Sequence, residues 1–217
     1  MVNPCAVRFA LLLAAASLPG QEGSDLVLNE GAKPWVTYVG TVTAQSYTVT
    51  KASDAYATFG VTGAGIKLGV ISDSFNGSGK TPTLTTQIAA GNLPGVGNTL
   101  GHTTPVTVVK DDTGTDEGRA MLEIVHDIAP GALLYFHSAF NNTNPVTNAT
   151  NQLTVAPDQT IADAINGLAG VAGMRLIVDD VGIMSTARFQ DGAAARAANS
   201  AAAGGIGDFS AAGNSAM

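Results

Sequence analysis

Residues 66–74 read Ile-Lys-Leu-Gly-Val-Ile-Ser-Asp-Ser, a short apolar run rich in branched side chains and entered through Gly60, Gly63 and Gly65. Such a run predicts a strand buried on both faces of a parallel sheet. It ends in a carboxylate, Asp73, followed by Ser74, Phe75 and Asn76. In open α/β sheets ligands bind beyond the carboxyl ends of the strands, which makes Asp73 a candidate site residue. The plainer alternative is a turn cap.

Outward from this strand, elements alternate. Upstream, residues 35–39 and 47–50 alternate like edge strands, and Ser53-Asp54 can cap a helical turn over residues 55–59. Downstream comes a long Gly/Thr/Pro-rich stretch to Pro105, with a short helix predicted near residues 84–90. Connections of this length in a compact domain tend to be functional lids or insertions. Residues 106–109 predict a second buried strand, residues 111–118 the opening of a helix that runs to about residue 128 and is ended by Ala-Pro-Gly, and residues 132–136 a third strand. An Asn/Thr-rich loop over 137–158 precedes a helix at 160–171 and a fourth strand at 176–178, which ends in Asp179-Asp180. An Ala-rich helix over 191–203 and a fifth strand over 206–212 complete the chain, which closes on Gly213-Asn214 and three further residues. Strand and helix alternate throughout, which predicts an α/β fold: a doubly wound parallel sheet.

The 217 residues suffice for one sizeable domain, and the low charged fraction of 12% argues against disorder. The formal net charge of −7 disfavours nucleic acid or an anionic membrane as partner. No apolar run is long enough to span a bilayer. Arg8 followed by an apolar core over residues 9–18 and then Pro19-Gly20 has the form of an export signal, expected over residues 1–20, and implies a secreted or periplasmic protein. The single cysteine, Cys5, would leave with it, so the mature chain has no disulfide and no thiol chemistry. Residues 21–54 then form an N-terminal arm or pro-segment, and 55–217 the domain itself.

The predicted helix after the second strand carries an anomaly. Ala120, Met121, Ile124 and Ile128 lie three, four, seven and eleven residues after Glu117, so Glu117 heads the apolar stripe, while Arg119, Glu123 and His126 fall on the polar face. The helix end stabilises an anion by about 0.3–1 kcal/mol, whereas burial favours the protonated carboxyl. A carboxyl so poised can act as acid or base; an ordinary first-turn acid that satisfies free amides is the alternative. Asp73, Asp180 and Asn214 end three of the predicted strands and share a rim with the N-terminus of this helix. An asparagine there can donate to a developing oxyanion, although Gly-Asn also favours a simple turn.

These residues resemble a known family. Residues 60–74 resemble the strand bearing the catalytic aspartate of subtilases. Asp116-Glu-Gly-Arg-Ala-Met121, with Ile128-Ala-Pro-Gly-Ala132, resembles the helix bearing their catalytic histidine and the turn after it. Phe209-Ser-Ala-Ala-Gly-Asn214 resembles the strand carrying their oxyanion asparagine. The resemblance spans residues 53–217. It implies a subtilisin-like serine endopeptidase acting on protein or peptide, with Asp73 as the triad aspartate, Asn214 as oxyanion donor, and residues 176–182, including Asp180 and Gly182, lining substrate. Glu117 stands where the family has histidine. It is similar to the glutamate of the sedolisin relatives, which work in acid with a Glu-Asp-Ser set, but the aspartate of that set would fall at Met121. If Asp73 orients Glu117 instead, the two carboxyls must share a proton. The family's nucleophilic serine lies in a Gly-Thr-Ser segment after the asparagine. Ser215 lacks that context, so the expectation is an N-terminal portion of a peptidase domain, inactive by itself.

Rival readings follow from other motifs. A peptidase-like domain that has lost catalysis and binds a peptide or a partner surface would account for Glu117. Residues 74–81, Ser-Phe-Asn-Gly-Ser-Gly-Lys-Thr, approach a phosphate-binding loop, and residues 176–180 a magnesium-holding strand. Ser74 replaces the first glycine, however, and Pro82 removes an amide where the helix should start. Glu123 and His126 form an E-x-x-H pair of the kind used in di-metal bundles, but no second copy occurs. His102 and His137 stay open as substitutes for the missing histidine. No cofactor is expected. Asp111, Asp112, Asp116 and Asp127 offer oxygen ligands for a structural calcium, at a spacing that fits no known cage.

Overall fold

The computed structural model describes residues 40–77, 79–140, 158–182 and 189–211. The expected export signal, most of the expected N-terminal arm, and Asn214 lie outside them. The described chain forms two compact units. One comprises residues 40–66, 84–105 and 122–133, and the other residues 67–83, 106–121 and 134 onward.

The second unit holds a five-stranded sheet. Its strands are β1 (Lys67–Ser72), β2 (Thr107–Lys110), β3 (Leu133–Ser138, whose first residue belongs to the other unit), β4 (Met174–Asp179) and β5 (Gly207–Ser210), in the order β2-β3-β1-β4-β5. All strands run parallel, with Leu68 beside Leu176, Ile71 beside Asp179 and Asp179 beside Ser210. The fold is therefore α/β with an all-parallel sheet. The chain leaves β1 for β2 on one side and reaches β4 on the other, so the end of β1 lies at the switch in winding direction where crevices form.

Helices cover both faces of this sheet. Two helices, Asp158–Ala169 and Ala193–Ala203, pack their buried Ile161, Ile165, Leu168, Ala194 and Ala197 with Ile71 and Ile177. Gly69 has no side chain because Leu168 fills the space: a Cβ there would lie 2.7 Å from Leu168 Cδ1. On the other face Phe136 is fully buried, stacked on Phe75 at 5.7 Å and against Gly118, in the first turn of the helix Glu117–Ile128.

We number the helices α1 (Gln45–Val49), α2 (Ala52–Phe59), α3 (Leu84–Ala89), α4 (Glu117–Ile128), α5 (Asp158–Ala169) and α6 (Ala193–Ala203). Three expectations need correction. Residues 45–49 form a helical turn, with Thr50 Oγ1 bonded back to Ser46 O at 2.6 Å, so the Thr/Val alternation there does not make a strand. The second strand is a half-exposed sheet edge, with Val108 and Val109 about two-fifths exposed, because nothing pairs its outer side among the described residues. The buried side of α4 carries Gly118, Arg119, Leu122, Val125 and His126, whereas Glu117, Ala120 and Ile124 are exposed. The apolar count misjudged that face because a glycine and two paired or packed polar residues occupy it.

Candidate active site

The site is built at the carboxyl ends of β1 and β4. Adjacent parallel strands end side by side, which brings Asp73 and Asp180 to one rim, and the first turn of α4 opens on the same rim. A cavity of about 90 Å³ there is lined by Ser72, Asp73, Glu117, Phe140, Asp180, Val181 and Gly182. Four of the sequence-predicted residues, Asp73, Glu117, Asp180 and Gly182, thus surround one space. A Cβ on Gly182 would touch nothing within 4 Å among the described residues.

Asp73 is buried and saturated with donors. Its Oδ1 accepts the main-chain N–H of Ser74 and, at 2.9 Å, that of Glu117. Its Oδ2 accepts the N–H of Thr115 and, at 2.6 Å, the Thr115 hydroxyl. The loop 114–117 therefore folds around this carboxylate, and Gly114 permits it: a Cβ there would lie 2.7 Å from Asp73 Oδ2. The next residues extend the clamp. Asp116 sits at φ 65°, a costly conformation for a non-glycine residue, and is 5% exposed. Its carboxylate accepts from Ser74 Oγ at 2.9 Å and Gly77 N at 2.7 Å, and pairs with Arg119 at 3.0 Å. Sequence reasoning missed Thr115, Asp116 and Arg119 as builders of the site. The cluster Asp-Thr-Gly-Thr-Asp-Glu, with hydroxyls between acids, was the available signal.

Glu117 stands at the cavity mouth, partly open to solvent, and is held above the usual carboxyl range, first by desolvation and then by the negative charges of Asp180 and Asp73. Asp180 is also pushed up, mainly by burial, with a contrary pull from Ser72 and Glu117. Ser72 Oγ is buried and faces Asp180 without reaching hydrogen-bonding geometry. Asp73 holds Glu117 through its main chain, the Glu117 N–H donating to Asp73 Oδ1 at 2.9 Å.

Comparisons with protein-family models, with curated proteins and with solved structures find no match to this chain.

No histidine lines this cavity. His137 is buried in β3 and meets Ser138 O at 2.8 Å. In the other unit His126 is fully buried and stacks edge-on to His102 at 5.0 Å, so it is not on a polar helix face as predicted. The rival phosphate loop has its amides engaged elsewhere: Phe75 N and Asn76 N donate to Asp111, and Gly77 N to Asp116. The helix nearest in sequence starts only at Leu84. Among the described residues no group of three or more His, Cys, Asp or Glu is arranged to hold a metal ion. Asp111, Asp116 and Asp127 are all taken by N–H donors. No helix among the described residues is long and apolar enough to cross a membrane.

A second cavity, of about 270 Å³, lies between α5, α6 and the ends of β4 and β5, lined in part by Asp158, Asp179 and Asp208. Asp158 accepts from the first amides of α6, at 2.5 and 3.0 Å, and acts as its cap. Asp179, only 8% exposed, is raised to about 6 by burial despite hydrogen bonds from Ser210 and Val181.

Proposed function

We propose that the protein is the N-terminal catalytic portion of an exported subtilisin-like serine endopeptidase that uses a carboxyl base. The observation that carries this reading is the shared cavity: an acid at a helix start, Glu117, faces the acids that end two neighbouring strands. Glu117 would take the proton of a seryl hydroxyl as its oxygen attacks the peptide carbonyl, and return that proton to the leaving amine. Asn214 would donate to the oxyanion. Asp73 would hold the Glu117 turn in place, and Asp180 and Gly182 would line the peptide. The serine itself is expected downstream of Asn214. A base of this kind works below the range of histidine, so the activity should have an acidic optimum.

The test uses the protein of the complete reading frame, assayed on casein from pH 3 to 9. Cleavage with an acidic optimum that falls about 10²–10⁴-fold in Glu117→Gln supports the assignment. Cleavage indifferent to Glu117→Gln removes the base, and peptide binding without cleavage at any pH favours a peptidase-like binding domain instead.

A further inference from the structure

We propose that Asp180, and not Asp73, is the carboxyl partner that holds a proton in common with Glu117. The role of this pair in turnover rests on the peptidase reading above; the pairing itself does not.

The argument begins with capacity. A carboxylate offers about four acceptor positions, and Asp73 receives four donors, from Ser74 N, Glu117 N, Thr115 N and Thr115 Oγ1. No lone pair remains for a carboxyl proton from Glu117. Asp180 is the other acid on the cavity wall, at the end of the adjacent strand. A nearby hydroxyl, Ser72 Oγ, comes from a residue 1% exposed and lines the same cavity.

Charge makes the sharing necessary. The groups that act on the pair are Asp73 and the two acids themselves. Arg119, on the same turn of α4, is bound to Asp116 at 3.0 Å and does not offset them. Carboxylates facing one another beside a third anion cannot both ionise readily, and they titrate as a pair. With one proton, the pair can accept a second from an attacking hydroxyl and later release it to a leaving amine. Asp180 is thus a positioning residue acting through Glu117, and the activity should follow a bell bounded by the two pair constants.

Carboxyl-carbon NMR titration of the full chain tests this without any turnover. In the unmodified protein Glu117 and Asp180 should each show two steps with shared midpoints. Asp180→Asn should collapse Glu117 to one step at lower pH, and Glu117→Gln should reduce Asp180 to a single step. A Glu117 curve untouched by Asp180→Asn, together with an Asp180 curve untouched by Glu117→Gln, overturns the pairing. A paired titration in a protein that cleaves nothing would count against the peptidase reading alone, and cleavage by a Glu117 that titrates singly against the pairing alone.

Discussion

Asp73 meets Glu117 through the main chain: the Glu117 N–H donates to Asp73 Oδ1 at 2.9 Å, and the two carboxyl groups are not bonded to one another. Asp73 is thereby an anchor for the turn that presents Glu117. The Glu117 side chain is free to answer to Asp180 across the cavity.

The anchor should be costly to weaken. Asp73→Asn puts an amide NH₂ against one of four donors, and hydrogen bonds to charged groups are each worth about 1.5–3 kcal/mol. We expect a loss of at least that size in urea unfolding, with faster hydrogen exchange at the Thr115 and Glu117 amides. Asp180→Asn, whose group has no such role, should unfold within about 1 kcal/mol of the parent.

Asp179 should destabilise the protein above neutrality. Its carboxyl is raised from 3.8 to about 6 by burial, so its neutral form is favoured in the folded state. That contribution is fully present below pH 3.8 and is lost as pH rises through about 6. Asp179→Asn keeps the acceptor for Val181 and Ser210, so the variant should be more stable than the parent at pH 8 by on the order of 3 kcal/mol, and equal to it near pH 3.5. Equal stability at both pH values would contradict the burial argument.

His126 should act in the opposite sense. Burial, helped by the neighbouring His102, lowers it from 6.5 to about 4. Neither of its ring nitrogens has a hydrogen-bond partner among the described residues. A depressed base contributes stability that is present above pH 6.5 and lost as pH falls through about 4, on the order of 3 kcal/mol in all. His126→Phe keeps an aromatic edge against His102 and should flatten the acid limb of a plot of Tm against pH between 4 and 7. An unchanged limb would show that other groups set the acid sensitivity.

Gly118 marks a close approach. A Cβ at this position would lie 2.3 Å from the Phe136 ring and 2.8 Å from Ser74 O. Gly118→Ala is expected to cost about 1–3 kcal/mol or more by overpacking, measurable as a lower urea midpoint at unchanged slope. Gly182→Ala, whose Cβ would touch nothing within 4 Å among the described residues, should be neutral and serves as the control.

Much of the architecture was legible. The run at residues 66–74 gave β1 within two residues, because a short branched apolar stretch between glycines and a carboxylate has few other uses. The end of α4 fell where the closing Ala-Pro-Gly puts it, while its start, within the acidic stretch 111–118, lies at Glu117. The rim shared by Asp73, Glu117 and Asp180 also followed from strand polarity alone. The orientation of α4 did not, because Arg119 is buried with Asp116 and the Pro82 carbonyl as partners, and His126 is buried beside His102. Residues 47–50 failed for a related reason: four residues of Thr and Val alternation carry too little periodicity to outweigh local helical bonding.

By itself, then, the amino-acid sequence determined the α/β alternation and the rim on which the acids gather, since apolar period and chain direction are local properties. Which acid is clamped and which is left to exchange protons was decided only by tertiary structure. That division depends on how many donors converge on each carboxylate, and those donors come from loops that are distant in the chain and meet only when it folds.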